Sequence, residues 1–215
     1  MTLFRAFLLS TAVAMTGVVG LALASREPTR APVERPSVSH PLTPSIHVRD
    51  QLKLPEIGRI KSAGYRTIID LRPDGEAPDQ PGSEAVRKAA EAEGLRFAYV
   101  PTPRGNIPDA TVDQLAGALA AAEGPVLLYC RSGSRAARVW ALAEASRVDG
   151  PDKALIADAV RKAGQEIDDL TPRIEARIAA RRTAANRGRA SCRRMSVRQM
   201  PTSASRRRRL RSEEH

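Results

Sequence analysis

One cysteine, Cys130, stands where an apolar run meets a polar turn. The run Val126 to Tyr129 has the length and composition of a buried strand. The turn that follows reads "RSGSR" (131–135), with an arginine at each end and a glycine in the middle. A cysteine at the end of a buried strand is often only a small apolar filler, because free cysteine is among the most buried residue types. The polar turn favours a second interpretation, in which the sulfur is a nucleophile.

The turn combines the features that stabilise a thiolate. Gly133 permits a tight bend whose N–H groups converge on an anion, and the helix predicted to follow adds the positive end of its dipole. The thiolate is the nucleophilic form of cysteine, so we predict that Cys130 and Arg135 are catalytic. The predicted anion-binding loop consists of Arg131, Ser132, Gly133 and Ser134.

Strands and helices alternate along the middle of the chain, which predicts an α/β fold. Its central sheet is mostly parallel, with helices on both faces. The predicted strands are 45–48, 65–71, 96–100 and the run that ends at Cys130. The predicted helices are 54–64, 82–94, 108–124, 134–147, 152–163 and 166–181. Ligands of such sheets bind outside the carboxyl ends of the strands, and Cys130 stands at such an end.

The loop "CRSGSR" resembles the active-site loop of rhodanese-type sulfurtransferases and a shortened cysteine-phosphatase loop. Together, "LRPDGEAPDQPGSEAVRKAAEAEGLRFAYVPT" (71–102) and "GPVLLYCRSGSRAARVWALAEA" (124–145) resemble a bacterial family with a dual-specificity-phosphatase-like fold. That family is labelled either as a sulfurtransferase or as the phosphatase-like domain of beta-lactamase-hydrolase-like proteins, and is associated with persulfide metabolism. The resemblance covers roughly residues 42–172 and implies that Cys130 is the nucleophile.

Two departures from the phosphatase pattern favour sulfur chemistry. Phosphatases of this class place five residues between cysteine and arginine, whereas four separate Cys130 from Arg135. The smaller cradle suits a persulfide sulfur better than a phosphate, although Arg138 could still reach an anion. The phosphatases also carry a general-acid aspartate on the loop after the strand equivalent to 96–100. Here Thr102 and Pro103 stand at that place, and Asp109 falls farther along, at the start of the next helix.

We therefore expect a sulfurtransferase that carries sulfane sulfur as a persulfide on Cys130, between a small-molecule donor and an acceptor. Two alternatives stay open: a phosphatase that hydrolyses a phosphate ester through a phosphocysteine, and a non-catalytic anion-binding or redox-sensing module. No cofactor is expected. No metal is expected either, because the two cysteines and three histidines show no metal-ligand spacing.

The segment "RPDGE" (72–76) follows the strand 65–71 at its carboxyl end, and so should lie beside the same crevice. Arg72, Asp74 and Glu76 are therefore candidates for the rim of the site. A salt-bridged turn is an equal alternative, since Arg-Pro-Asp-Gly is a strong turn signal.

The amino-terminal residues indicate export. Residues 1–25 contain the uncharged run 6–24 and read as a signal peptide or a membrane anchor. The protein would then be exported, or anchored in the inner membrane and facing the periplasm; a mis-called start codon would make it cytoplasmic. Residues 26–44 form a proline-rich linker, and 45–181 form the catalytic domain.

The carboxyl-terminal residues 182–215 are arginine-rich and predicted to be disordered. Twelve arginines lie in residues 181–215, so most of the formal net charge of +11 is concentrated there. The tail is either an electrostatic arm or a solvated extension. No aromatic residues alternate with the arginines, so no specific nucleic-acid partner is expected.

Overall fold

A five-stranded sheet forms the centre of the protein in this computed structural model, which describes residues 39–198 and the side chains of 39–189. The strands lie in the order β1-β2-β5-β3-β4. β1 runs antiparallel to β2, and the other neighbours are parallel. The strands are β1 (His40–Pro41), β2 (Ile46–Arg49), β3 (Thr67–Asp70), β4 (Arg96–Tyr99) and β5 (Val126–Tyr129).

Helices cover both faces of the sheet. α1 and α2 pack on one face, where they form a core with Ile68 and Leu127. α3 to α6 pack on the other face, around Trp140 and Leu128. The helices are α1 (Ile57–Ser62), α2 (Ser83–Ala92), α3 (Asp109–Ala120), α4 (Ser134–Ser146), α5 (Lys153–Lys162) and α6 (Thr171–Arg198), with short 3-10 helices at Leu54–Glu56 and Asp168–Leu170. The predicted α/β architecture is confirmed.

The position of β5 in the sheet explains why its residues are all apolar. It lies between β2 and β3, and all four of its residues are buried. Leu127 and Tyr129 belong to the core under α1 and α2, whereas Leu128 and Cys130 belong to the opposite core. A strand covered on both faces needs apolar residues at every position, so its sequence does not alternate. This strand delivers Cys130 to the carboxyl edge of the sheet.

Both ends of the predicted domain need correction. The predicted linker 26–44 extends too far, because His40 and Pro41 form β1 and Leu42 is buried. The predicted disorder of 182–215 is corrected for residues 182–198, which continue α6. Arginine and alanine are strong helix formers, and the missing apolar periodicity excludes core packing rather than a helix.

Other parts of the predicted termini lie outside the described residues, namely 1–38 and 199–215. The candidate signal peptide or anchor belongs to that part of the chain. Among residues 39–198, no helix is both long and apolar enough to cross a bilayer.

Candidate active site

Cys130 lies at the base of a tight loop between β5 and α4. The cysteine is 1% exposed and is a free thiol. Gly133 precedes the first turn of α4 with a φ of 85°, in the left-handed region that side chains disfavour. A Cβ at this position would come within 3.4 Å of the Arg49 carbonyl oxygen. Glycine is therefore required both for the bend and for its close approach to β2.

Two glutamines hold the loop from outside. The Gln51 N–H donates to the Arg131 carbonyl at 3.3 Å, and the Gln165 side chain donates to the Ser132 carbonyl at 3.4 Å. The first N–H groups of a helix have no intrahelical acceptors, so those at the start of α4 are available to an anion. Because both carbonyls accept from other donors and the N–H groups at the start of α4 have no partner within the helix, residues 130–135 can bind a negatively charged group beside the sulfur.

Arg135 is held beside Cys130 by an ion pair. Its Nη1 donates to Glu76 Oε1 at 2.8 Å and to the Thr102 carbonyl at 2.6 Å, and its Nη2 donates to Glu76 Oε2 at 2.7 Å. Burial lowers the pKa of Arg135, but Glu76 and the nearby Cys130 sulfur outweigh burial and raise it overall. Among the described contacts, three of the five guanidinium donors are used, which leaves two for the sulfur and a bound anion.

Glu76 is the hub of the site. Besides Arg135, its carboxylate accepts from Arg72 Nε at 3.2 Å and lies 3.5 Å from Arg104 Nε. The side chain is 11% exposed. The hydrogen bond from Arg135 lowers the pKa of Glu76 to about 2, against the opposing effect of burial. Glu76 therefore stays ionised throughout the physiological range and fixes the position of Arg135.

A buried carboxyl lies behind this hub. Asp70, the last residue of β3, is 1% exposed and accepts from the Arg72 N–H at 2.8 Å. Burial raises the pKa of Asp70 to about 6, although the Tyr129 hydroxyl beside it and the Arg72 N–H act in the opposite direction. Burial and the neighbouring Asp70 in turn raise the pKa of Tyr129. Asp70 thus changes its charge near neutral pH, next to the turn that carries the hub.

The loop between β4 and α3 supplies a contact but no acid. The Thr102 carbonyl oxygen accepts a hydrogen bond from Arg135 Nη1. Asp109 is the first residue of α3, where Arg173 and Arg177 of α6 donate to its carboxylate. These arginines lower the pKa of Asp109. An ionised carboxylate that is already paired with α6 is not a proton donor for this site.

The predicted rim residues have three different positions. Glu76 contacts Arg135 directly, and Arg72 supports Glu76 from behind, where it also donates to Gln51 at 2.7 Å. Asp74 points away and accepts from the N–H and hydroxyl of Ser83, at the start of α2. Asp74 thus binds the first residue of α2 and does not face the crevice. The ion pair within the turn joins Arg72 to Glu76.

Two other arginines near the loop, Arg131 and Arg138, differ in exposure and in ion pairing. Arg131 is exposed at the loop, as its predicted role in anion binding requires. Arg138 is paired with both carboxylate oxygens of Asp169, at 2.7 and 2.6 Å. That pair borders a cavity of about 540 Å³ beside Ser134, next to the loop. Arg138 is thus held in place by Asp169 at the edge of this cavity.

Sequence reasoning missed the residues that hold the site together. Gln51, Gln165 and Arg104 are distant from Cys130 in sequence, and no spacing marks them as partners of its loop. The Thr102 contact uses a backbone carbonyl, which carries no residue-type signal. Only Arg104 left a trace, as the one charged residue in 101–108, on the loop where phosphatases carry their acid.

The assembled site can perform nucleophilic substitution on an anion. A buried thiol precedes the amino-terminal turn of α4, and an anchored guanidinium lies beside it. Among residues 39–198, no group of three histidine, cysteine, aspartate or glutamate side chains is arranged as a metal site.

Comparisons with known proteins point to one family. The family model for the beta-lactamase hydrolase-like protein, phosphatase-like domain, matches residues 40–147. A beta-lactamase hydrolase-like protein of Xylella fastidiosa strain Temecula1 is 46% identical over 87 residues, which are 40% of this chain and 20% of that protein. One of Agrobacterium fabrum is 33% identical over 100 residues, which are 46% of this chain and 23% of that protein. The similarity thus spans about a fifth of the length of these relatives.

Solved structures agree on the fold. A candidate phosphatase from Neisseria meningitidis is 27% identical, with a TM-score of 0.57, and the match covers 64% of this chain and 96% of that one. A candidate phosphatase from Shewanella putrefaciens is 19% identical with a TM-score of 0.52, covering 68% and 92%. Tk-PTP in its active form is 13% identical with a TM-score of 0.53, covering 66% and 97%. The cysteine-phosphatase-like fold predicted from the sequence is confirmed.

Proposed function

Since the chain belongs to the family of phosphatase-like domains of beta-lactamase hydrolase-like proteins, we propose that it is a cysteine-dependent phosphatase. The observation that carries the proposal is the anchored Arg135, which lies beside the Cys130 sulfur and is held by Glu76. The sequence alone favours sulfur transfer, whereas the matched family and the Neisseria meningitidis neighbour favour the phosphatase alternative.

The reaction has two steps. The Cys130 thiolate attacks phosphorus, an S–P bond forms, and the P–O bond to the leaving group breaks with its electrons on that oxygen. The loop N–H groups and Arg135 stabilise the equatorial oxygens while charge develops on them. Water then attacks the phosphocysteine, the S–P bond breaks, and orthophosphate takes both protons of the water while the thiolate is restored.

The leaving group limits the substrates. Thr102 has no acidic group and contacts Arg135 only through its backbone carbonyl. The Asp109 carboxylate is ionised and paired with Arg173 and Arg177, so neither residue can protonate an alkoxide. Alkyl phosphates should therefore react slowly, and aryl phosphates faster, because a phenolate leaves without a proton.

The test is the hydrolysis of 4-nitrophenyl phosphate by the full chain, with and without orthovanadate. We expect vanadate-sensitive turnover that falls by about a thousandfold or more in Cys130→Ser. Arg135→Lys should also lose most activity, because a point charge replaces the planar fork that both Glu76 and the anion need. Turnover that is unchanged in Cys130→Ser would overturn the proposal.

Sulfur transfer remains a second candidate because of one observation, the four residues between Cys130 and Arg135. A shorter loop forms a smaller cradle, which suits a single sulfur atom. Intact mass after incubation with thiosulfate tests this candidate. A gain of one sulfur atom in wild type but not in Cys130→Ser, together with no turnover of the aryl phosphate, would replace the phosphatase proposal.

A further inference from the structure

The loop that joins β4 to α3 carries one charged residue in 101–108, Arg104. Its Nε lies 3.5 Å from Glu76 Oε1, so its guanidinium lies at the site. The side chain is 60% exposed, against 14% for Arg135. Arg104 therefore marks the outer end of a series that begins at Cys130 and passes through Arg135 and Glu76.

Positive charge is in excess along this series. Within the described part of the chain, three guanidinium groups contact the one carboxylate of Glu76, and they belong to Arg72, Arg104 and Arg135. Arg72 and Arg135 approach it to between 2.7 and 3.2 Å and are nearly buried, whereas Arg104 makes a longer contact from solvent. Arg104 can thus turn toward a ligand at little cost, since exposed ion pairs are weak.

The place of Arg104 in the loop gives it a role. In a cysteine phosphatase, this loop faces the leaving group with an acid. Here it offers a permanent positive charge and no proton, since Asp109 is paired with Arg173 and Arg177. A cation in that place stabilises a leaving group that departs as an anion, and it cannot help a neutral alcohol to form.

We propose that Arg104 is a specificity-determining residue that binds an oxyanion leaving group, and that the substrate class is the phosphoanhydrides. This inference rests on the proposed phosphatase function. The Cys130 thiolate would attack the terminal phosphorus of a diphosphate, forming the S–P bond while the bridging P–O bond breaks. The remaining phosphate leaves with the electron pair as an anion beside Arg104 and needs no proton. Water then releases orthophosphate from the phosphocysteine as before.

A matched pair of arginine variants tests the role of Arg104. Arg96, at the opposite end of β4, is also 60% exposed and pairs with one glutamate, Glu123. We would measure kcat/KM of the full chain for inorganic pyrophosphate and for 4-nitrophenyl phosphate. Arg104→Ala should lower the value for pyrophosphate by about tenfold, the loss of one charge-assisted hydrogen bond. The value for the aryl phosphate should fall by less than about threefold, because nitrophenolate spreads its single charge over the ring, whereas a leaving phosphate concentrates its charge on the oxygens that face Arg104. Arg96→Ala should change neither.

The outcomes separate this inference from the function on which it rests. Equal losses on both substrates in Arg104→Ala, or Cys130-dependent turnover of the aryl phosphate without any of pyrophosphate, would overturn the role of Arg104 and leave the phosphatase intact. Activity that does not depend on Cys130 would overturn the phosphatase itself. A loss confined to pyrophosphate, partly recovered in Arg104→Lys, would support the proposal, since lysine keeps the charge.

Discussion

Replacing Glu76 by glutamine removes the one negative charge shared by three arginines. Arg72 and Arg135 are 6% and 14% exposed in their side chains, so both would be left as nearly buried cations without a counter-charge. Breaking a buried ion pair costs about 3–5 kcal/mol. Glutamine still accepts one hydrogen bond, so we expect a loss near the lower value, about 3 kcal/mol. For a domain of this size, that corresponds to a Tm lower by about 6–12 °C.

Urea denaturation of wild type and Glu76→Gln measures this loss, and Glu84→Gln is the matched control. Glu84 also pairs with two cations, Arg87 and Lys88, but its side chain is 66% exposed. Exposed pairs contribute about 0–1 kcal/mol, so the control should unfold like wild type. Phosphatase activity should fall only in Glu76→Gln, because Arg135 loses its anchor.

The pH dependence adds an independent check. Glu76 has a pKa of about 2 in the folded protein, below its ordinary value of 4.5. Its contribution to stability is therefore fully present above pH 4.5 and is lost as the pH falls toward 2. The difference between wild type and Glu76→Gln should shrink over that window. A variant within about 1 kcal/mol of wild type at pH 7, or a difference that stays constant down to pH 2, would refute the role of Glu76 as the hub.

Three further substitutions test other parts of the site. Asp70→Asn should flatten the pH profile of the unfolding free energy: Asp70 holds its proton up to about pH 6 when folded but only to about 3.8 when unfolded, so wild-type stability declines as the pH rises between these values. Gly133→Ala should cost about 1–2 kcal/mol in urea denaturation and lower activity, since its φ is 85°. Gly117→Ala, in open space on α3, should be neutral or stabilising. Asp109→Ala should leave kcat and its pH profile unchanged, because Asp109 is paired with Arg173 and Arg177.

For each of these three substitutions, one result would contradict the prediction. A pH profile of Asp70→Asn parallel to wild type would assign the titration to another group. A Gly133→Ala variant as stable as Gly117→Ala would mean that the loop does not need the left-handed conformation. A kcat of Asp109→Ala lower by tenfold or more, with the loss of a protonated group from its pH profile, would make Asp109 the general acid after all.

The sequence predicts the contiguous half of the site because local rules govern it. A continuous apolar run reads as a strand buried on both faces, and Gly133 with its flanking arginines reads as a tight, positively charged turn. The position of this loop at the carboxyl edge of the sheet then follows from the alternation of strands and helices. Most element boundaries differ by no more than three residues from the prediction. The exceptions are α3, which ends four residues early at Ala120, and α6, which begins five residues late at Thr171 and extends to Arg198.

The other half of the site depends on contacts that no local rule specifies. Glu76 and Asp74 stand two residues apart in the same turn, yet one binds Arg135 across 59 residues and the other caps α2. Which of them faces the crevice depends on how the turn packs on β4, since the Tyr99 hydroxyl accepts from the Asp74 N–H. Sequence therefore nominates both carboxylates equally, and packing separates them.

Phosphate hydrolysis and sulfur transfer place the same demand on this site, a leaving group that departs without a proton. Phosphate leaving an anhydride and sulfite leaving thiosulfate both meet that demand, and both would depart as anions beside Arg104. The missing acid, which made the sequence favour sulfur, therefore does not separate the two reactions. What separates them is the number of oxygens that the loop between Cys130 and Arg135 must enclose, because a phosphoryl group presents three equatorial oxygens and a transferred sulfur presents none. The size of the cradle, rather than proton transfer, is thus the property that the assays with 4-nitrophenyl phosphate and with thiosulfate distinguish.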